Sequence, residues 1–108
     1  MVAERATAQL AERGAGRCAI SGALTFETAP WLWEQLTAGG LLQGAQEADL
    51  SAVGDADSAG LALLVAWRAS RRSAGGDLRF AGTPARLMAL AQLTEAGAVL
   101  EAATGSGG

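Results

Sequence analysis

The chain has 108 residues, enough for one domain with a single core and too few for two. Apolar residues make up 50% and charged residues 18%, which marks a packed domain rather than a disordered one. With a net charge of −3 and no long basic stripe, a nucleic-acid partner is not expected; Arg68, Arg71 and Arg72 alone cannot track a phosphate backbone.

Histidine, lysine and tyrosine are absent, and all eight basic residues are arginine. The commonest general base, any Schiff-base amine and the usual imidazole metal ligands are therefore missing. The one cysteine, Cys18, can build neither a disulfide framework nor a thiolate zinc site within the chain, and reads as a small core residue. No metal and no cofactor are expected. The first residues, MVAERATAQLAERG, carry charges where a signal peptide needs an apolar stretch. The longest apolar run, 61–67, is too short to span a bilayer. The expectation is a reduced, cytoplasmic setting without direct membrane insertion.

In chain order, the first twenty residues alternate weakly, with Ala6, Ala8 and Leu10 opposed to Arg5, Thr7 and Gln9. Gly14 and Gly16 break the pattern before RCAIS, so two short strands joined by a glycine turn are expected. In LTFETAPWLWEQL, 24–36, Thr28 is placed to cap a helix and Pro30 suits its first turn. Ala29, Leu32, Trp33 and Leu36 then share one face. Trp31 lies off that face, either as a side-wall packing residue or as a partner-facing aromatic. Gly39, Gly40 and Gly44 close this unit.

QEADLSAV, 46–53, reads as a central strand, although Glu47 and Ala48 favour it poorly. The turn GDAD leads into a helix over Ser58–Ser73. Arg68, Arg71 and Arg72 fall near its negative pole, as solvated end charges, and Gly75 with Gly76 stops it. DLRFAG, 77–82, alternates as a further strand. TPARLMALAQL, 83–93, begins with a threonine cap and a proline, and sets Leu87, Leu90, Ala91 and Thr94 on one face. A short segment at 98–100 follows, with 103–108 as a flexible tail beyond a single domain of 1–102. Strands alternating with helices argue an α/β class, a sheet with helices packed against it.

Chemistry concentrates in GDADSAGLALLVAW, 54–67. Asp57 directly precedes the helix, where its carboxylate can accept from unpaired backbone amides. Ser58, Ala59 and Gly60 form the first turn, so the Ser58 hydroxyl faces free N–H groups and the positive helix pole, a setting that tolerates a phosphate or a partner's acceptor. Small Ala59 and Gly60 leave room for another protein's backbone. As a nucleophile Ser58 lacks a base, and neither a GxSxG elbow nor a Walker A loop is present. Asp55 and Asp57 read as a solvated neighbour and a cap rather than an acid/base pair. An enzyme is not expected. Leu61, Leu64 and Val65 make one apolar stripe; Leu63 and Trp67 make another, displaced around the axis. That second stripe is either buried beneath a neighbouring helix or exposed as a docking patch.

DLSAV at 49–53 followed by DSAGLALL at 57–64 resembles the STAS domain, the fold shared by anti-sigma-factor antagonists and the cytoplasmic tails of anion transporters. The likeness runs over about 15–100. It implies a mixed four- to five-stranded sheet with helices packed against it. In anti-sigma antagonists the serine matching Ser58 is phosphorylated by a partner kinase. In the MlaB-type branch the matching Ser or Thr contacts the ATPase of a phospholipid-transport ABC complex. LALL at 61–64, Trp33-Glu34 and ALAQL at 89–93 resemble that second branch.

The resemblance therefore implies a non-catalytic subunit that binds and stabilises an Mla-type ATPase in an inner-membrane complex maintaining outer-membrane lipid asymmetry. The chain would be cytoplasmic and peripheral to the membrane through that partner. Its contact surface would comprise Asp55, Asp57, Ser58, Ala59, Gly60, Leu61, Leu63 and Trp67. The alternative is an anti-sigma-factor antagonist, bound by a serine-kinase anti-sigma factor and switched by phosphorylation of Ser58. A stand-alone module for lipid or another small molecule is a third class.

Overall fold

The computed structural model describes residues 2–5 and 7–93. The chain opens with three strands, β1 (Val2–Arg5), β2 (Ala8–Gly14) and β3 (Arg17–Leu24), paired antiparallel in sequence order. The β2–β3 turn holds Gly14, Ala15 and Gly16 at φ of 77°, 55° and 76°, a region that glycine enters without steric cost. Strand β1 is one more than the two strands expected. It pairs Val2 with Ala11 and Arg5 with Ala8, and no Gly, Pro or Asn marks the turn between them.

Helix α1 (Ala29–Ala38) and the short α2 (Leu41–Gly44) carry the chain to β4 (Glu47–Ala56), which lies parallel to β3. Helix α3 (Ser58–Ser73) leads to β5 (Arg79–Ala81), parallel to β4, and α4 (Ala85–Gln92) follows. Among the described residues the five strands form one mixed sheet in the order β1-β2-β3-β4-β5, with β4 paired on both sides. This is the α/β arrangement of sheet and helices that the sequence implies. The segment at 98–100, the tail at 103–108 and Thr94 lie outside the described residues.

Strand alternation sorts the sheet into two faces. The cross-strand row Cys18, Ala48 and Phe80 is buried with Leu32 and Leu36 of α1, Leu64 of α3 and Leu87 of α4, so the helices line that face. The neighbouring row Arg17, Glu47 and Arg79 turns the other way. Burial, with Glu12 nearby, pushes the Cys18 thiol up to about 12, the signature of a core residue.

Several local expectations are corrected. There is no GDAD turn: β4 runs on to Ala56, because Asp55 and Ala56 still pair with Ala23 and Leu24. Thr28 does not cap α1 with its side chain. Its backbone is αR, whereas a capping residue is extended, and its buried hydroxyl donates to Ala23 O at 2.9 Å while accepting from Thr25 N at 3.0 Å. The N-cap position of α4 is Pro84, not Thr83. Of the two readings of Trp31, side-wall packing holds: like Trp33, it is half-buried against the core.

The largest correction concerns the arginines, of which only Arg72 is a solvated end charge. Arg68 is buried and forks onto Asp77, with Nε 2.9 Å from Oδ1 and Nη2 3.3 Å from Oδ2. Arg71 is buried and donates to the carbonyls of Ala45 and Gln43, tying α3 to the exit from α2. Those carbonyls lie within and just after α2, a single turn too short to satisfy them itself.

Candidate functional site

Because β3 and β4 are parallel, with Leu24 opposite Ala56, the loop after β3 and the start of α3 emerge at the same end of the sheet. Asp57 is the single residue between β4 and α3, and its extended backbone (φ −136°, ψ −173°) turns its carboxylate onto the helix. Oδ1 accepts from Ala59 N at 2.9 Å and Gly60 N at 3.1 Å. Oδ2 accepts from Phe26 N at 3.0 Å, across the gap between the two loops. Asp57 N in turn donates to Leu24 O at 3.3 Å. Partial desolvation pushes the Asp57 carboxyl up, but the Phe26, Gly60 and Ala59 amides and the Arg86 charge outweigh it and hold it below the ordinary aspartate value.

That carboxylate anchors an exposed Ser58 in the first helical turn. Asp55 is exposed on β4, and Ala59 is half-buried. The remaining residues expected on the surface behave differently. Leu61, Leu63 and Trp67 are buried, so the second apolar stripe of α3 belongs to the core and is no docking patch. Trp67 is fully enclosed, its Nε1 donates to Leu41 O at 2.9 Å, and its ring lies 6.2 Å from that of Phe80. Helix α2 packs over the Trp67 end of this stripe. Gly60 is buried too: a Cβ there would collide with the Leu24 carbonyl oxygen and sit 2.8 Å from Leu24 Cγ. Its smallness admits the chain's own β3 strand, not a partner's backbone.

Phe26, Glu27 and Arg86, which the sequence did not single out, complete the site. A shallow groove of ≈ 230 Å³ beside Asp57 is lined by Thr25, Phe26, Glu27, Asp55 and Arg86, among others. Phe26 is 69% exposed. Arg86 of α4 donates from Nε to Ala56 O at 2.8 Å, closing the end of β4. The lone phenylalanine in the polar run TFET was the available signal for Phe26; Arg86 gave none, because α4 reaches the site only through tertiary packing. Among the described residues no His, Cys, Asp or Glu set gathers as a metal site. The arrangement is an exposed helix start, capped by Asp57, with a groove beside it.

No curated protein is significantly similar to the chain in sequence. The solved structure of the anti-sigma factor antagonist SpoIIAA in its unphosphorylated form is similar in fold, with a TM-score of 0.65 at 13% identity, covering 84% of this chain and 83% of that one. The family described as the Mlab, STAS domain family matches residues 8–101. Spanning β2 to beyond α4, that match makes the protein a member of the MlaB-type STAS domain family.

Proposed function

We propose that the protein is a non-catalytic accessory subunit that binds and stabilises the ATPase of a phospholipid-transporting, Mla-type ABC complex, docking through the start of α3. The observation that carries this reading is the exposed Ser58 hydroxyl, held on a helix start fixed by Asp57, in a chain of this family. Neither histidine nor lysine exists to deprotonate that hydroxyl, which suits contact better than attack. In this reading the chain is cytoplasmic and held at the inner membrane by its partner. No helix among the described residues is long and apolar enough to cross a membrane.

A serine-switched anti-sigma-factor antagonist is the second reading. It draws on the fold likeness to SpoIIAA and on the tolerance of a helix N-terminus for phosphate. Co-expression with the ATPase subunit of the same organism, with partners pulled down from native membranes, separates the two. The native chain should copurify with the ATPase, and Ser58→Arg or Ser58→Asp should lose it. Full retention by both variants overturns the reading, whereas a phosphate on Ser58 of native protein together with a kinase-fold partner selects the second.

A further inference from the structure

We infer that the partner bound at the α3 start is gripped beside Ser58 by Phe26, and that it presents a cationic side chain, Arg or Lys, next to an apolar patch, the cation meeting Glu27 and Asp55. This rests on the docking reading above and specifies the chemistry of the surface that docks.

A singly exposed phenylalanine is ordinary on a protein surface. Phe26 differs in how it is held. Its own amide is tied to Asp57 Oδ2, Thr25 N donates to Thr28 Oγ1 at 3.0 Å, and Ala29 N donates to Thr25 O at 2.8 Å. The ring thus projects from a loop that needs little further ordering, the condition under which an aromatic contact keeps most of its binding free energy. It also lines the groove that Asp57 lines, making it continuous with the helix start that carries Ser58.

Charge decides what kind of surface fits. The groove holds three carboxylates, Glu27, Asp55 and Asp57, against one guanidinium, Arg86. Asp57 already accepts from three backbone amides, and Arg86 Nε is committed to Ala56 O. The carboxylates of Glu27 and Asp55 have no hydrogen-bond or ion-pair partner among the described residues. Covering them with an apolar or acidic surface would strand two carboxylates away from water, whereas a cationic side chain satisfies them. The neighbouring phenyl ring requires that the same surface be apolar alongside the cation.

The test measures association of the full chain with the purified Mla-type ATPase of the same organism, at low and high salt. Thermal melts check that each variant is folded. Phe26→Ala should weaken binding about tenfold or more. The paired reversal Glu27→Arg with Asp55→Arg should slow association at low salt by about tenfold and flatten its salt dependence. Ser58→Arg should abolish binding. If Ser58→Arg abolishes it while Phe26→Ala and the paired reversal match the native chain at both salts, this inference falls and the docking reading stands. If Ser58→Arg binds like the native chain, or the native chain does not bind, the docking reading falls and the inference with it. A Phe26-dependent dimer of the chain alone overturns the inference, because the ring would then serve a second copy.

Discussion

The Phe26 amide and the Ala59 and Gly60 amides meet the two oxygens of one carboxylate, Asp57, so the loop after β3 and the first turn of α3 are a single hydrogen-bonded unit. Replacing Asp57 with Ala removes the cap and the link between loops together. A lost cap costs about 1 kcal/mol, up to about 2 in protein hosts, and the orphaned Phe26 amide should bring the change to the upper end of that range in urea unfolding.

The same carboxylate sets a pH dependence. Its folded value lies below its unfolded one, so its contribution is fully present above the ordinary aspartate range and is lost as pH falls through the folded value. Asp77 acts with the same sign, held down by the hydrogen bond from Arg68, as does Asp49 through Ser51. Unfolding free energy should therefore fall on acidification below the ordinary aspartate range. In Asp57→Asn the fall should be shallower than in the native chain, which paired denaturation series at neutral and acidic pH would read.

Gly60→Ala sets two effects against each other. Alanine is about 1 kcal/mol better than glycine inside a helix. Its Cβ, however, meets the Leu24 backbone carbonyl, which cannot retreat without disturbing the paired end of β3. Overpacking of this kind costs about 1–3 kcal/mol, and against immovable backbone the upper part of that range wins. The variant should melt several degrees below the native chain; an unchanged or higher melting temperature would show that the close approach is not as described.

Arg71 and Arg72 are neighbours with opposite roles. Arg71→Met should destabilise by about 2–3 kcal/mol, because the Ala45 and Gln43 carbonyls lose their donor. Arg72→Met, at an exposed position, should stay within about 0.5 kcal/mol of the native chain. Chemical unfolding of the two variants side by side gives the comparison.

Cys18 offers a check on the core. With its thiol pushed up to about 12 by burial, it should resist a thiol reagent at mildly alkaline pH in the folded chain and react fully in denaturant. Rapid labelling under native conditions would place it outside the core.

Helix α3 was legible in the sequence because each of its ends is governed by residues within a turn of it: Asp57 to cap, small residues to open, Gly75 just beyond the end. The alternation of strands with helices and the spacing of DLSAV to DSAGL likewise placed the fold and its family. The destiny of the Leu63 and Trp67 stripe was not legible, since a helix carries the same periodicity whether its second stripe meets solvent or another element. Only tertiary packing made that stripe core, with the Leu41 carbonyl of α2 receiving the Trp67 indole from 26 positions away and Phe80 of β5 meeting its ring. For the same reason the arginines could not be sorted by sequence, because a buried guanidinium is defined by the carbonyls or carboxylate brought to it. Residues 54–67 therefore contribute less surface than their composition suggests. The exposed part of the site reduces to Ser58 with Asp55 and the half-buried Asp57 and Ala59, and parallel pairing of β3 with β4 adds Phe26 and Glu27 from a distant stretch of chain. Local sequence determines which residues can start a helix; long-range pairing decides which of them a partner can touch.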